Sequence, residues 1–176
     1  IYPDTAGSCD ILCVGQTIID SCKVESSSAS SFPDGISIQG EFMGLTSKIT
    51  NCTFNHIAYS VLLSSYSGCS APTPDDFIFE NNSISNSGAG IMVLGYQSSW
   101  NNQWIRIRNN SFQTTGQAIY ITDAGSAYTE GYIEISNNTM VSSSRAVEIE
   151  ESTSNKLIMY NNLISGNSGN IINAKK

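Results

Sequence analysis

Short runs in which apolar and polar residues alternate with period two recur along the whole chain, each closed by a polar turn. Such alternation over four to six residues, rich in Ile, Val and Phe, predicts short β-strands. No stretch of ten residues carries the spacing of an amphipathic helix. Four runs align: FIFENNSIS from Phe77, IRIRNNSFQ from Ile105, IEISNNTMV from Ile133 and LIMYNNLIS from Leu157. Asn82, Asn110, Asn138 and Asn162 hold one place, at spacings of 28, 28 and 24 residues. Thirty residues before Asn82 stands Cys52, and thirty before that Cys22. A further strand follows a Gly- or Ser-rich turn in each unit: GISIQG from Gly35, SVLLSS from Ser60, GIMVLG from Gly90, AIYITD from Ala118, AVEIEE from Ala146 and NIINAK from Asn170.

Each unit of 24 to 30 residues therefore predicts three strands. One unit cannot bury an apolar face alone, and stacked units bury a continuous core. The expected inward columns are Ile19, Ile49, Phe79, Ile107, Ile135 and Met159; then Val24, Phe54, Ile84, Phe112, Met140 and Ile164; then Ile38, Leu63, Val93, Ile121 and Ile149, ending at Asn173. The Asn column fits a turn residue in the left-handed conformation, and amides stacked along an axis bond coil to coil. Glu80 is expected beside Arg108, and Arg106 beside Glu134, as outward cross-strand pairs.

These repeats resemble those of the pectate-lyase-like right-handed parallel β-helix proteins, over about residues 15 to 174. The resemblance implies an all-β, single-stranded right-handed parallel β-helix of about five to six coils with an Asn ladder. Residues 1–176 then form one domain, with 1–14 an incomplete first coil or cap and 15–174 the repeats, within a longer chain. Proteins of this fold include polysaccharide lyases and hydrolases, phage tailspikes, adhesins and noncatalytic surface proteins, so the fold does not select an activity.

In the enzymes of this fold, substrate usually lies along the strand after the Gly turn and its flanking loops. Here that face carries an acidic cluster, Asp123, Glu148, Glu150 and Glu151, with Tyr120 beside Glu148. Paired carboxylates suit acid and base roles in glycoside hydrolysis; calcium takes the same oxygens; a solvated acidic face needs neither. An Asp-Asp pair with a following Gly-His-Gly is missing, as are the Arg-Ile-Lys and Asp-Pro-His signatures of pectin-degrading β-helices, and Arg106-Ile107-Arg108 echoes one of them on a different strand. Aromatic residues in the following loop, Tyr66, Tyr96, Trp100, Trp104, Tyr128 and Tyr132, suit stacking on sugar rings; they equally suit closing the loops on the solenoid. Leu62, Met92, Leu94 and Tyr120 form an outward apolar stripe, the mark of a protein contact.

Charge narrows the partners. Fifteen acidic against eight basic residues give a net charge of -7, which argues against nucleic acid. No apolar run reaches the length of a membrane span. Charged residues make up only 13% of the chain, which suits an extracellular, cell-surface or virion protein. Five cysteines, Cys9, Cys13, Cys22, Cys52 and Cys69, lack the spaced histidines of a zinc site. Cys22 and Cys52 share a column, where a strained bridge between coils and buried free thiols both remain open. His56 sits alone in a turn, a structural role. The acceptor-like triplets at Asn51, Asn81, Asn109 and Asn137 recur because the turn recurs. The expectation is thus no resident metal or cofactor, calcium excepted. The partners expected are a polysaccharide or cell-surface glycan, or sister chains in a homo-oligomer or larger assembly. Three functions stand side by side: a surface recognition module, a polysaccharide hydrolase or lyase using the acidic cluster, and a structural filament or spacer.

Overall fold

The computed structural model describes residues 9–14, 16–26, 34–39, 46–64, 76–94, 104–122, 132–150, 156–166 and 172–175. Their strands form three parallel sheets that run along a common axis, a right-handed parallel β-helix. The first sheet stacks Ile18–Asp20, Ser47–Thr50, Asp76–Glu80, Trp104–Arg108, Tyr132–Ser136 and Lys156–Tyr160. The second stacks Lys23–Glu25, Thr53–Asn55, Ser83–Ser87, Ser111–Thr114, Thr139–Ser142 and Leu163–Gly166. The third has seven strands. Cys9–Val14 precedes Asp34–Gln39, Tyr59–Ser64, Ala89–Leu94, Ile119–Thr122, Val147–Glu150 and Ile172–Lys175.

The register stacks the expected columns. Ile19, Ile49, Phe79, Ile107, Ile135 and Met159 are successive partners in the first sheet. Val24, Phe54, Ile84, Phe112, Met140 and Ile164 are partners in the second. In the third sheet Ile38 is followed by Leu63, Val93, Ile121 and Ile149. The last partner is Ala174, not Asn173, which pairs instead with Glu148. The last unit is therefore read one residue early by its sequence alone. The core is aromatic at its centre: the Phe79 ring lies 6.2 Å from Phe54 and 6.1 Å from Phe112.

The turn between the first and second sheets divides its two Asn residues between two tasks. The first of each pair takes the left-handed backbone: Asn51, Asn81, Asn109, Asn137 and Asn161 have φ between 53° and 59°, as does Ser21. Asn adopts this conformation at less cost than most residues because its short polar side chain bonds locally. The second Asn builds the ladder. The backbone N–H of Asn82 donates to Asn110 Oδ1 at 2.9 Å, that of Asn110 to Asn138 Oδ1 at 2.9 Å, and that of Asn138 to Asn162 Oδ1 at 3.0 Å. Each amide nitrogen in turn donates to a carbonyl of the preceding coil: Asn82 to Ile49, Asn110 to Phe79, Asn138 to Ile107 and Asn162 to Ile135, at 2.8–3.0 Å. His56, with φ of 57°, is a left-handed turn residue between the second and third sheets, its N–H donating to Ser85 O.

Candidate functional site

On the outer face of the third sheet, Ser37, Leu62, Met92, Tyr120 and Glu148 are register partners in one row, followed by Asn173. Leu62, Met92 and Tyr120 are half-buried. Leu94 stands in the neighbouring row, between Ser64 and Thr122. Asp123 and Glu151, and the aromatic residues Tyr66, Tyr96, Trp100 and Tyr128, lie outside the described residues. Of the acidic cluster, Glu148 and Glu150 can therefore be placed, two residues apart on one strand.

Glu148 is not a solvated carboxylate. It is 5% exposed, paired to Arg145 through one oxygen and accepting from Gln117 Nε2 at 2.8 Å through the other. Glu150 accepts the Tyr120 hydroxyl at 3.3 Å. Burial raises the Tyr120 phenol above its ordinary value; a hydrogen bond with Thr122 offsets part of this, and the charges of Glu150 and Glu148 add to it. Tyr120 is thus a neutral O–H donor across the neutral range. Arg145 and Gln117 were the residues sequence reasoning passed over. Arg145 lies three residues before Glu148, in the turn that feeds its strand, and that spacing was a signal.

Trp104 and Tyr132 are register partners on the first sheet, not neighbours of the third. Their rings stack on each other at 4.6 Å and 11°. The Arg106 guanidinium lies 4.7 Å from the Trp104 centroid and Lys156 Nζ 5.1 Å from that of Tyr132. These faces meet one another and two cations. The rest of this surface is an ion network: Arg106 pairs with Asp76 and with Glu134, and Arg108 with Glu80. Burial acts to raise the Glu134 carboxyl. Hydrogen bonds from Tyr160 and Ser136 and the charges of Arg108 and Arg106 outweigh it, leaving the group below its ordinary 4.5. A depressed carboxyl stabilises the fold above its unfolded value, and that contribution is lost as pH falls through the folded one. Thermal melts of wild type and Glu134→Gln should therefore differ at neutral pH and converge well below pH 4.5.

The two cysteines of the Asn column sit at the turn of the first two coils. Both are free thiols, Cys22 exposed and Cys52 buried. The Cys22 N–H lies 3.5 Å from Cys52 Sγ, the place an Asn oxygen takes in later coils. Cys52 N–H itself donates to Asn82 Oδ1 at 2.8 Å. Burial raises the Cys52 thiol above its ordinary value, against the hydrogen bond from the Cys22 backbone. An open cleft of about 560 Å³, lined by Ile18, Ile19, Asp20 and Cys22 among others, adjoins Cys22.

The three sheets define a right-handed parallel β-helix protein, and the family model described as "Periplasmic copper-binding protein (NosD)" matches residues 15–176. The chain belongs to that family. No curated protein and no solved structure matches it. The family agrees with one expectation at a coarser level and corrects another. Of the resemblance to pectate-lyase-like proteins, the parallel β-helix is shown. The expectation of no cofactor, calcium excepted, gives way to a family described as copper-binding. The family's description as periplasmic agrees, at the level of the cell envelope, with work outside the cytoplasm; it lends no support to a virion.

Copper can be tested against the side chains present. Among the described residues no three His, Cys, Asp or Glu side chains converge as a metal-binding group. The soft donors that share a column among the described residues are Cys22 and Cys52, with Cys52 Sγ 3.5 Å from the Cys22 backbone nitrogen. Two thiolates suit monovalent copper, which prefers soft sulfur and low coordination, and fall short of the four donors of a structural zinc site.

Proposed function

We propose that the chain is a noncatalytic β-helix module that works outside the cytoplasm by holding its ligand on a rigid solenoid, and that this ligand is copper. The family description supports the ligand and the compartment. The noncatalytic reading is supported at Glu148, a buried member of the acidic cluster Asp123, Glu148, Glu150 and Glu151 expected to supply acid and base. Its two oxygens are engaged by Arg145 and Gln117, and it is buried. A carboxylate held this way lacks the open side that a sugar or a water needs. A glycan or a sister chain remains the proposed macromolecular partner, at the half-buried row of Leu62, Met92 and Tyr120.

Dialysis of the purified chain against copper, with a polysaccharide panel assayed for new reducing ends, tests this reading. The expected result is stoichiometric copper retention and no new reducing ends, in wild type and Glu148→Gln alike. Reducing ends that disappear in Glu148→Gln would make the chain a polysaccharide hydrolase or lyase instead. A chain that retains no copper in either oxidation state would remove the ligand.

A further inference from the structure

We propose that the stacked thiols of Cys22 and Cys52 form a two-coordinate site for monovalent copper, set in the turn between the first and second sheets. The site rests on copper being the ligand of this chain, and adds where the ion sits and in which oxidation state.

The first argument is the break in the ladder. At position 52 an Asn would accept the N–H of residue 22 and donate to the Ile19 carbonyl, as its counterparts do in the later coils at 2.8–3.0 Å. Cys52 makes weaker contacts, with Sγ 3.5 Å from Cys22 N and 3.9 Å from Ile19 O. Local rules are broken in folded proteins most often where function asks for it. What the break provides here is two sulfurs one coil apart.

The second argument is spacing. Both sulfurs take the same posture, each against the carbonyl two residues upstream: Cys22 Sγ on Asp20 O at 3.3 Å, Cys52 Sγ on Thr50 O at 3.1 Å. They therefore repeat with the parallel strands, about 4.8 Å apart. Two metal–thiolate bonds of about 2.3 Å laid end to end span about 4.6 Å. A monovalent copper ion fits between them with little motion of either coil, whereas a disulfide requires the sulfurs to close to about 2.05 Å.

The third argument is chemistry and access. Soft thiolates select monovalent copper. The Cys22 N–H already points its dipole at Cys52 Sγ, a bond that strengthens when the sulfur becomes anionic. The exposed Cys22 and the cleft it lines leave this side of the turn open to an ion. Binding joins one cuprous ion to two thiols, forms two Cu–S bonds and releases two protons; copper keeps its oxidation state and no electron acceptor is needed.

The test delivers cuprous ion anaerobically from a chromophoric chelator to wild type and to the Cys22→Ser, Cys52→Asn double variant, with X-ray absorption at the copper edge. The second substitution restores a ladder amide, so the variant should melt no lower than wild type. Wild type should take the ion from the chelator with two sulfur neighbours, and the double variant should lose that ion. If the double variant fails to fold, Cys22→Ser alone, at an exposed position, carries the same expectation. A variant that binds copper as wild type does would overturn this site and leave the ligand reading standing. Wild type without copper would overturn both. Intact-mass measurement showing Cys22 joined to Cys52 in the untreated protein would overturn the site as well.

Discussion

Asn110→Ala should destabilise the fold by about 3–5 kcal/mol, read as a lower denaturation midpoint in urea with an unchanged slope. Asn110 is 3% exposed. Its oxygen takes the Asn82 N–H at 2.9 Å and the Asn82 side-chain amide at 3.1 Å. Its own amide donates to Phe79 O at 2.9 Å and to Asn138 Oδ1 at 3.0 Å. Truncation leaves the Asn82 N–H and the Phe79 carbonyl buried without partners, each costing about 1–3 kcal/mol. The exposed neighbour Asn109 provides the control. It holds φ of 59°, and its side-chain amide donates to Glu80 Oε1 at 3.0 Å. Asn109→Gly keeps the left-handed backbone and should move the midpoint by a few tenths of a kcal/mol, while Asn110→Gly should match the alanine variant. A reversed order of the two sites would refute the division of labour within the Asn pair.

That division shows where sequence reasoning reached its limit. The paired Asn repeat locates the turn, and its period locates the coils, because every inward position must be apolar in a stack with no other core. One column of Asn was expected to bend the chain and bond along the axis. The structure assigns the bend to Asn81, Asn109 and Asn137 and the ladder to Asn82, Asn110 and Asn138. Two adjacent Asn residues look alike as letters and differ only in backbone angle. The last strand slipped by one residue because its neighbours, Asn170 through Asn173, carry no alternation to fix the register.

The site was less legible than the fold for a similar reason. Alternation predicts which residues point outward, and it placed Leu62, Met92, Tyr120 and Glu148 in one row. It does not predict what lies over them. Arg145 and Gln117 come from the turns that lead into two successive strands, and they bury a carboxylate that the pattern leaves in water. Likewise the stacked Trp104 and Tyr132 belong to the first sheet, where the loop alignment of aromatics gave no reason to separate them from the rest. Cys22 and Cys52 were recognised as one column. Their chemistry was not, because it depends on a ladder whose donors and acceptors appear only when the coils are stacked.

Phe79→Ala should cost about 3–5 kcal/mol, as large as any single substitution in this solenoid. Phe79 is fully buried, and its ring sits between Phe54 and Phe112 at 6.2 and 6.1 Å, bridging the first and second sheets at the middle coils. Its strand pairs with Ser47–Thr50 on one side and Trp104–Arg108 on the other. The void therefore opens in the interior of the stack, where neither neighbouring coil can collapse without giving up register. Stability in a solenoid is close to a sum of unit and interface terms. Damage at Phe79 should then spread unevenly: hydrogen exchange should accelerate most in residues 47–54, 76–84 and 104–112, and least in 132–142. Leu157→Ala, on the last described coil where that side chain is already 37% exposed, should cost far less and leave the exchange of residues 47–54 unchanged. Uniform acceleration in both variants would mean that the whole stack opens as one unit, and that the interfaces between coils, not the coils, carry the cooperativity.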